Sequence, residues 1–190
     1  AHSNLKTLSE SGSIQRYAVT QDEIRRYELL QPAIYDTLNS LQRAYPEYVE
    51  IRLLLPDGYE DTRVAKPSIP NKTEEEDRTP YFQKISQAGD DHLATIARSQ
   101  DNDETYLYVS HRLMLRDDAL DSITTPLSER GYLILTIAID SIVQRIRHSK
   151  LSNQKVSFLA HNDGQIVIHS DSRLEGQHLP PDSYASVTAT

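Results

Sequence analysis

Twice along this chain an alternating apolar run meets an Asp-Gly pair and then an extended return segment. Val49, Ile51, Leu53 and Leu55 alternate, Pro56-Asp57-Gly58 follows, and Tyr59 to Ala65 runs back. Val156 to His161 leads into Asn162-Asp163-Gly164, and Gln165 to Ser170 returns. Period-two alternation is the signature of a half-buried strand. Asp-Gly supplies the positive backbone angles of a tight hairpin turn. A chain carrying two such units is committed to antiparallel sheet, and each unit begins a meander.

Helical patterns separate these hairpins. From Thr20, with Glu23 three residues on as a capping box, Ile24, Tyr27 and Leu29 or Leu30 recur on one face. Pro32 punctuates the chain there, and proline is tolerated in the first turn of a helix. A second helix is therefore expected from Pro32 to Ala44, with the stripe Ile34, Leu38 and Leu41, ended by Pro46. Residues 66–77 are polar, and the run Glu74-Glu75-Glu76-Asp77 reads as a solvated loop. Thr79-Pro80 opens a short helix to about Ala88. Strands are expected at His92 to Arg98 and Tyr106 to Leu115, followed by a polar loop through Arg130. Tyr132 to Ile139 is the most apolar segment and shows little alternation, as a central strand covered on both faces should. Ser141 to Lys150 reads as a helix, and the tail after Gly176 as loosely ordered.

The fold class is α+β. A long N-terminal helical segment (1–45, two helices broken at Pro32) precedes a module with a five-stranded antiparallel sheet (46–150). Residues 151–190 are the start of a second, smaller module and a loose tail. A hollow is expected between the sheet and the helix that begins at Pro80.

Composition limits the function. The 190 residues are 37% hydrophobic and 25% charged, with 20 basic against 28 acidic side chains and a net charge of −8. That is a globular chain with no basic stripe, which argues against nucleic acid and against an anionic membrane surface. Cysteine is absent, so disulfides, thiolate metal sites and cysteine nucleophiles are excluded together. No apolar run approaches the ~20 residues of a membrane span, and no signal peptide is visible. Ala1-His2-Ser3 reads as the edge of a trimmed chain, with any anchor lying before it.

Three stretches carry a resemblance. They are Arg78-Thr79-Pro80-Tyr81-Phe82, Gly131 through Asp140, and Val156 to Gly176 with Phe158-Leu159, Asp163-Gly164, His169-Ser170-Asp171 and Leu174-Glu175-Gly176. In this order they resemble the double Cache (PAS-like) sensor domains of bacterial receptors. In that family a long helix leaves the membrane, and a five-stranded membrane-distal module, a helix and a smaller proximal module follow. The resemblance implies the extracytoplasmic, periplasmic part of a membrane-anchored histidine kinase, diguanylate cyclase or chemoreceptor. It implies a small ligand in the distal module and a signal passed along the helix. Arg78 and Tyr81 match two positions of the family's amino-acid-binding segment. Pro80 stands where that segment has tryptophan, a residue this chain lacks.

The candidate ligand-binding residues are Arg78, Tyr81, Tyr106, Tyr108 and His111. Arg78 offers a carboxylate a planar fork of donors, or pairs with the neighbouring acidic run. Tyr81, Tyr106 and Tyr108 combine ring area with a hydroxyl, suited to pocket lining or to ordinary packing. His111 shares a strand face with Leu107, Val109 and Leu113, as a core residue or as a pH-sensitive one.

His161, His169 and His178 with Asp163 and Asp171 lack metal-ligand spacing, and the acidic run lacks that of a calcium loop. No nucleophile elbow and no phosphate-cradling loop occur. The domain is accordingly read as non-catalytic, with no metal, no cofactor and no nucleic-acid partner, and with a homodimer expected through the N-terminal helix. A cytosolic PAS- or GAF-type regulatory or dimerisation module is the alternative.

Overall fold

The structure is a computed structural model, and it describes residues 1–116, 126–148, 158–160, 164–169 and 171–179. The chain divides into two compact units, Ala1–Ala138 and Ile139–Thr190.

The first unit is built on one antiparallel sheet. Its strands are β1 (Tyr48–Leu54), β2 (Glu60–Ala65), β3 (His92–Arg98), β4 (Thr105–Leu115) and β5 (Ser128–Ala138), in the order β2-β1-β5-β4-β3. The most apolar run is the central strand: β5 lies between β1 and β4, and residues 131–137 are all buried. The β1–β2 hairpin closes at Asp57-Gly58. Gly58 has φ +91°, and Asp57 Oδ1 accepts a bond from the Tyr59 amide at 3.0 Å. Gly131 is more tightly constrained, with φ +131° and an added Cβ falling 2.0 Å from the Leu54 carbonyl oxygen. Only glycine fits where β5 passes β1 so closely.

Alternation divides the side chains between the two faces of the sheet. One face carries Ile51, Leu53, Leu133 and Leu135, buried beneath α1 (His2–Ser9), α2 (Gly12–Val19) and α3 (Gln31–Ala44). Leu5, Ile14, Tyr17, Ile34 and Leu38 on the helices are buried there as well. Across this layer Asn4 donates to the Tyr48 hydroxyl, and the Tyr17 hydroxyl is hydrogen-bonded to Thr62.

The N-terminal segment is helical, but its breaks differ from those expected. Ser11 is extended and separates α1 from α2. Thr20 ends α2: its hydroxyl donates to the Arg16 carbonyl at 2.7 Å, so it caps nothing downstream. The start signal is Asp22, whose carboxylate accepts from the Arg25 amide at 2.7 Å. A π-helical turn, Ile24–Leu30, then runs directly into α3. Pro32 therefore breaks no helix. Proline clashes with the carbonyl four residues back in an α-helix, and a wide turn before it relieves that clash.

The other face is covered by α4 (Pro80–Gln87). Thr79 caps it, its hydroxyl accepting from the Phe82 amide at 3.3 Å. Tyr81, Phe82 and Ile85 point inward. Tyr81 stacks flat on Tyr108 with centroids 4.1 Å apart, and Phe82 meets Tyr132 edge-on at 5.4 Å.

The second unit contains α5 (Ile139–His148), β6 (Phe158–Ala160), β7 (Ile166–His169) and a 3-10 turn at Ser172–Leu174. Strands β6 and β7 pair antiparallel, Phe158 opposite His169, and α5 packs against β7. The segment after Gly176 is pinned as far as Leu179: the Ile166 amide donates to the Gln177 carbonyl, and the Leu179 amide to that of Gly164. The β4–β5 loop at 117–125, the strand start at Val156-Ser157, the turn residues Asn162-Asp163 and the tail from Pro180 lie outside the described residues. Among the described residues no helix is long and apolar enough to cross a membrane.

Candidate functional site

Every residue of β1 is buried, yet two of them are charged. Glu50 and Arg52 alternate onto the α4 face, where an isolated charge would be prohibitively costly. Arg52 has 2% of its side chain exposed and is met by four carboxylates. Its terminal nitrogens lie 2.7 Å from Glu76 Oε1, 2.7 Å from Asp101 Oδ2 and 2.9 Å from Glu50 Oε1. Its Nε lies 3.0 Å from Glu60 Oε2, and it also donates to the Tyr81 hydroxyl at 3.1 Å.

These partners come from five places: β1, β2, the loop before α4, the loop between β3 and β4, and α4 itself. Arg63 on β2 adds a second guanidinium, bonded to Glu50. Asn71 donates to Glu60 and the Lys72 amide to Asp101, which ties in the 66–79 loop.

The electrostatics are unbalanced, because four carboxylates face two guanidiniums. Burial pushes the Glu60 carboxyl up to about 7, although Arg52 and Arg63 pull the other way. Burial likewise raises Glu76 against the pull of Arg52. Burial alone would lower the Arg52 pKa; Tyr81 and the carboxylates more than offset it, so the guanidinium stays charged. Burial therefore favours the protonated form of Glu60 and of Glu76 within the cluster.

The structure brings three of the five candidate residues together. Tyr81, Tyr106 and Tyr108 share this layer, each almost fully buried. The Tyr106 hydroxyl donates to Glu104 at 2.6 Å and accepts from Asn102 at 2.7 Å. Arg78 is elsewhere: 88% of its side chain is exposed, 3.7 Å from Asp77. It is the residue immediately before the α4 cap Thr79, where the chain still runs along the surface. His111 faces the opposite layer, its ring 4.2 Å from that of His92, because it is odd-numbered on a strand whose tyrosines are even.

The expected hollow beneath α4 is filled by the protein's own Arg52, Tyr81 and Tyr108. Open clefts lie elsewhere, one of them at the outer edge of β2. A cleft of about 310 Å³ is lined by Tyr35, Glu60, Asp61, Arg63, Asn71 and Glu74, among others. Glu60 therefore touches both the buried cluster and the cleft.

The sequence reading missed Glu50, Arg52, Glu60, Glu76 and Asp101. A signal existed for the first two, since charges two apart in an otherwise apolar strand share one buried face. Glu76 was hidden in the acidic run; it is 2% exposed, so that run is not wholly a solvated loop.

No protein-family model and no curated protein matches the chain. Solved structures do. One is a domain of a protein described as a sensory box/GGDEF family member from Vibrio parahaemolyticus, 17% identical over 96% of this chain and 68% of that one, with a TM-score of 0.60. A second is the extracellular domain of a protein described as a histidine kinase, 14% identical over 98% and 70%, TM-score 0.60. A third is the ligand-binding domain of the Pseudomonas fluorescens chemoreceptor CtaA, solved with L-serine, 14% identical over 100% and 72%, TM-score 0.54. The chain has the PAS/Cache-like α+β fold of these sensor domains.

Proposed function

We propose that this chain is the extracytoplasmic ligand-sensing part of a membrane-anchored bacterial signalling receptor, without chemistry of its own. The observation that carries the reading is the Arg52 cluster, set in a fold shared with sensor and ligand-binding domains. A single buried guanidinium gathers five segments, and one of its partners, Glu60, opens onto the β2-edge cleft. A small solute in that cleft that competes for Glu60 or Asn71 changes the partners of Arg52. It then favours one arrangement of the 66–79 loop and α4 over another. Signalling requires that the ligand bind one arrangement better than the other, since equal affinity shifts nothing.

The test is a thermal-shift screen of the chain against amino acids, organic acids and amines at several pH values. A ligand at one hundred times its Kd adds about 2.7 kcal/mol, roughly a 5–10 °C rise for a chain of this size. The rise is expected to vanish in Glu74→Lys, which places a cation on the cleft wall. Absence of a shift with every solute class refutes the ligand reading. A shift that survives Glu74→Lys removes the ligand from the cleft.

A further inference from the structure

Three imidazoles form a tilted stack, with interplanar angles of 53° and 36°, where α1 meets the sheet. His2 is in the first turn of α1, His92 is the first residue of β3, and His111 lies opposite it on β4. The His2 and His92 ring centroids are 3.9 Å apart, and those of His92 and His111 are 4.2 Å apart. The two Nδ1 atoms of His92 and His111 approach to 2.8 Å. Such a contact needs one nitrogen with a proton and one without. Two imidazolium ions cannot share it, so the stack exists only while at least one of these rings is neutral. The α1 helix joins this contact through His2, whose ring lies against His92 and opposes a charge there, and so proton uptake by His92 is coupled to the seating of α1.

We propose that His2, His92 and His111 form an acid-responsive latch that holds α1 on the sheet at neutral pH and releases it as His92 and His111 take up protons.

The charged groups around the stack support this direction. On α1 they are Lys6 and Glu10, paired with each other at 4.0 Å and both exposed. On the β3 side it is Asp91, and opposite His111 on β5 stands the apolar Leu133. Burial first, then His92 and His2, lower His111 below the ordinary 6.5, while Asp91 and Glu10 act the other way. Burial, His2 and Lys6 lower His92, opposed by Asp91 and a backbone bond to Ser110. The docked state thus binds protons less tightly than the released one. Docking is at full strength above about pH 6.5 and weakens as the pH falls below it. Each net proton taken up on release changes the docking equilibrium by up to about tenfold per pH unit. Beyond the stack, α1 is held by Leu5 and Leu8 and by the Asn4–Tyr48 bond. That is a small apolar anchor for one short helix.

Hydrogen exchange on the whole chain between pH 8 and pH 5, corrected for intrinsic rates, tests the latch. Protection of the α1 amides is expected to fall several-fold per pH unit below pH 6.5, while β5 amides at 133–136 hold theirs. In a His92→Phe, His111→Leu variant the fall is expected to disappear, and in Asp91→Asn it is expected to persist. Constant α1 protection across the range overturns the proposal, as does an equal fall in the histidine variant. NMR of histidine-labelled wild-type chain reads the rings without any substitution. His92 and His111 are expected to titrate below 6.5, and titration of both at or above that value also overturns it.

Discussion

Replacing Arg52 by methionine keeps most of the side-chain volume and removes the charge that four carboxylates share. Breaking a buried pair by deleting one partner typically costs about 3–5 kcal/mol, because the other charge stays behind without compensation. Here Glu50, Glu76 and Asp101 have 3% of their side chains exposed and Glu60 has 6%, so water cannot replace the guanidinium. At about 2–4 °C per kcal/mol for a chain of this size, the expected loss at pH 7.5 is roughly 6–20 °C in Tm. The loss also depends on pH. Stranded carboxylates have folded-state pKa values raised above their unfolded ones. Their contribution is then intact below the unfolded values and is lost as the pH rises through the folded ones. Arg52→Met should therefore lie closer to wild type at pH 5.5 than at pH 7.5. Urea denaturation followed by far-UV circular dichroism at the two pH values measures both effects, and subtracting wild type cancels the histidine contribution. A loss below about 1 kcal/mol at pH 7.5 would refute the reasoning, because the cluster would then not depend on its cation. A loss equal at both pH values would show that the carboxylates were never stranded.

Three further substitutions probe the same architecture. Gly131→Ala forces a Cβ to within 2.0 Å of the Leu54 carbonyl at a φ of +131°; a loss of at least ~3 kcal/mol in urea unfolding is expected, and a loss below 1 would mean that β5 shifts freely. Glu60→Gln should flatten the decline in Tm between pH 5 and pH 8. With Glu60 raised to about 7 by burial, the folded state binds the extra proton, and wild-type stability falls as the pH rises through that value; an unchanged slope in Tm scans would assign the decline to another group. Tyr81→Phe keeps the stack on Tyr108 and loses only the hydroxyl bonded to Arg52, so about 1 kcal/mol is expected, against ~3–5 for Tyr81→Ala; equal losses in the two variants would make the stack irrelevant.

Much of the sheet was legible because its signals are local. Alternation in β1, the Asp57-Gly58 turn, Thr79-Pro80 at the α4 start and the unbroken apolar run of β5 each need only a few neighbouring residues. The N-terminal breaks were misplaced for a physical reason. Thr20 has the chemistry of either helix end, and its hydroxyl bonds backward to Arg16 rather than forward, a choice made by the packing of α2. Pro32 carries a strong break signal, but a π-helical turn of ordinary residues absorbs it, and no composition marks such a turn. The site was harder still. Glu50, Arg52, Glu60, Glu76 and Asp101 span half a hundred positions and meet only once the sheet has formed. Arg78 looked like the available cation because it precedes Tyr81 in the chain, whereas the cation that reaches Tyr81 comes from β1. Strand parity was enough to separate His111 from Tyr106 and Tyr108, but not to reveal His92 across the ladder or His2 above it.

The wide turn ahead of α3 has a mechanical consequence. Because Ile24–Leu30 is wound with an extra residue per turn, the stretch before it is out of phase with the stretch after it by about a residue. Tightening that turn to ordinary pitch would rotate everything upstream by roughly 100° about the axis. The surplus of winding at one end of this rod thus sets the angle at which the residues before Ile24 leave α3.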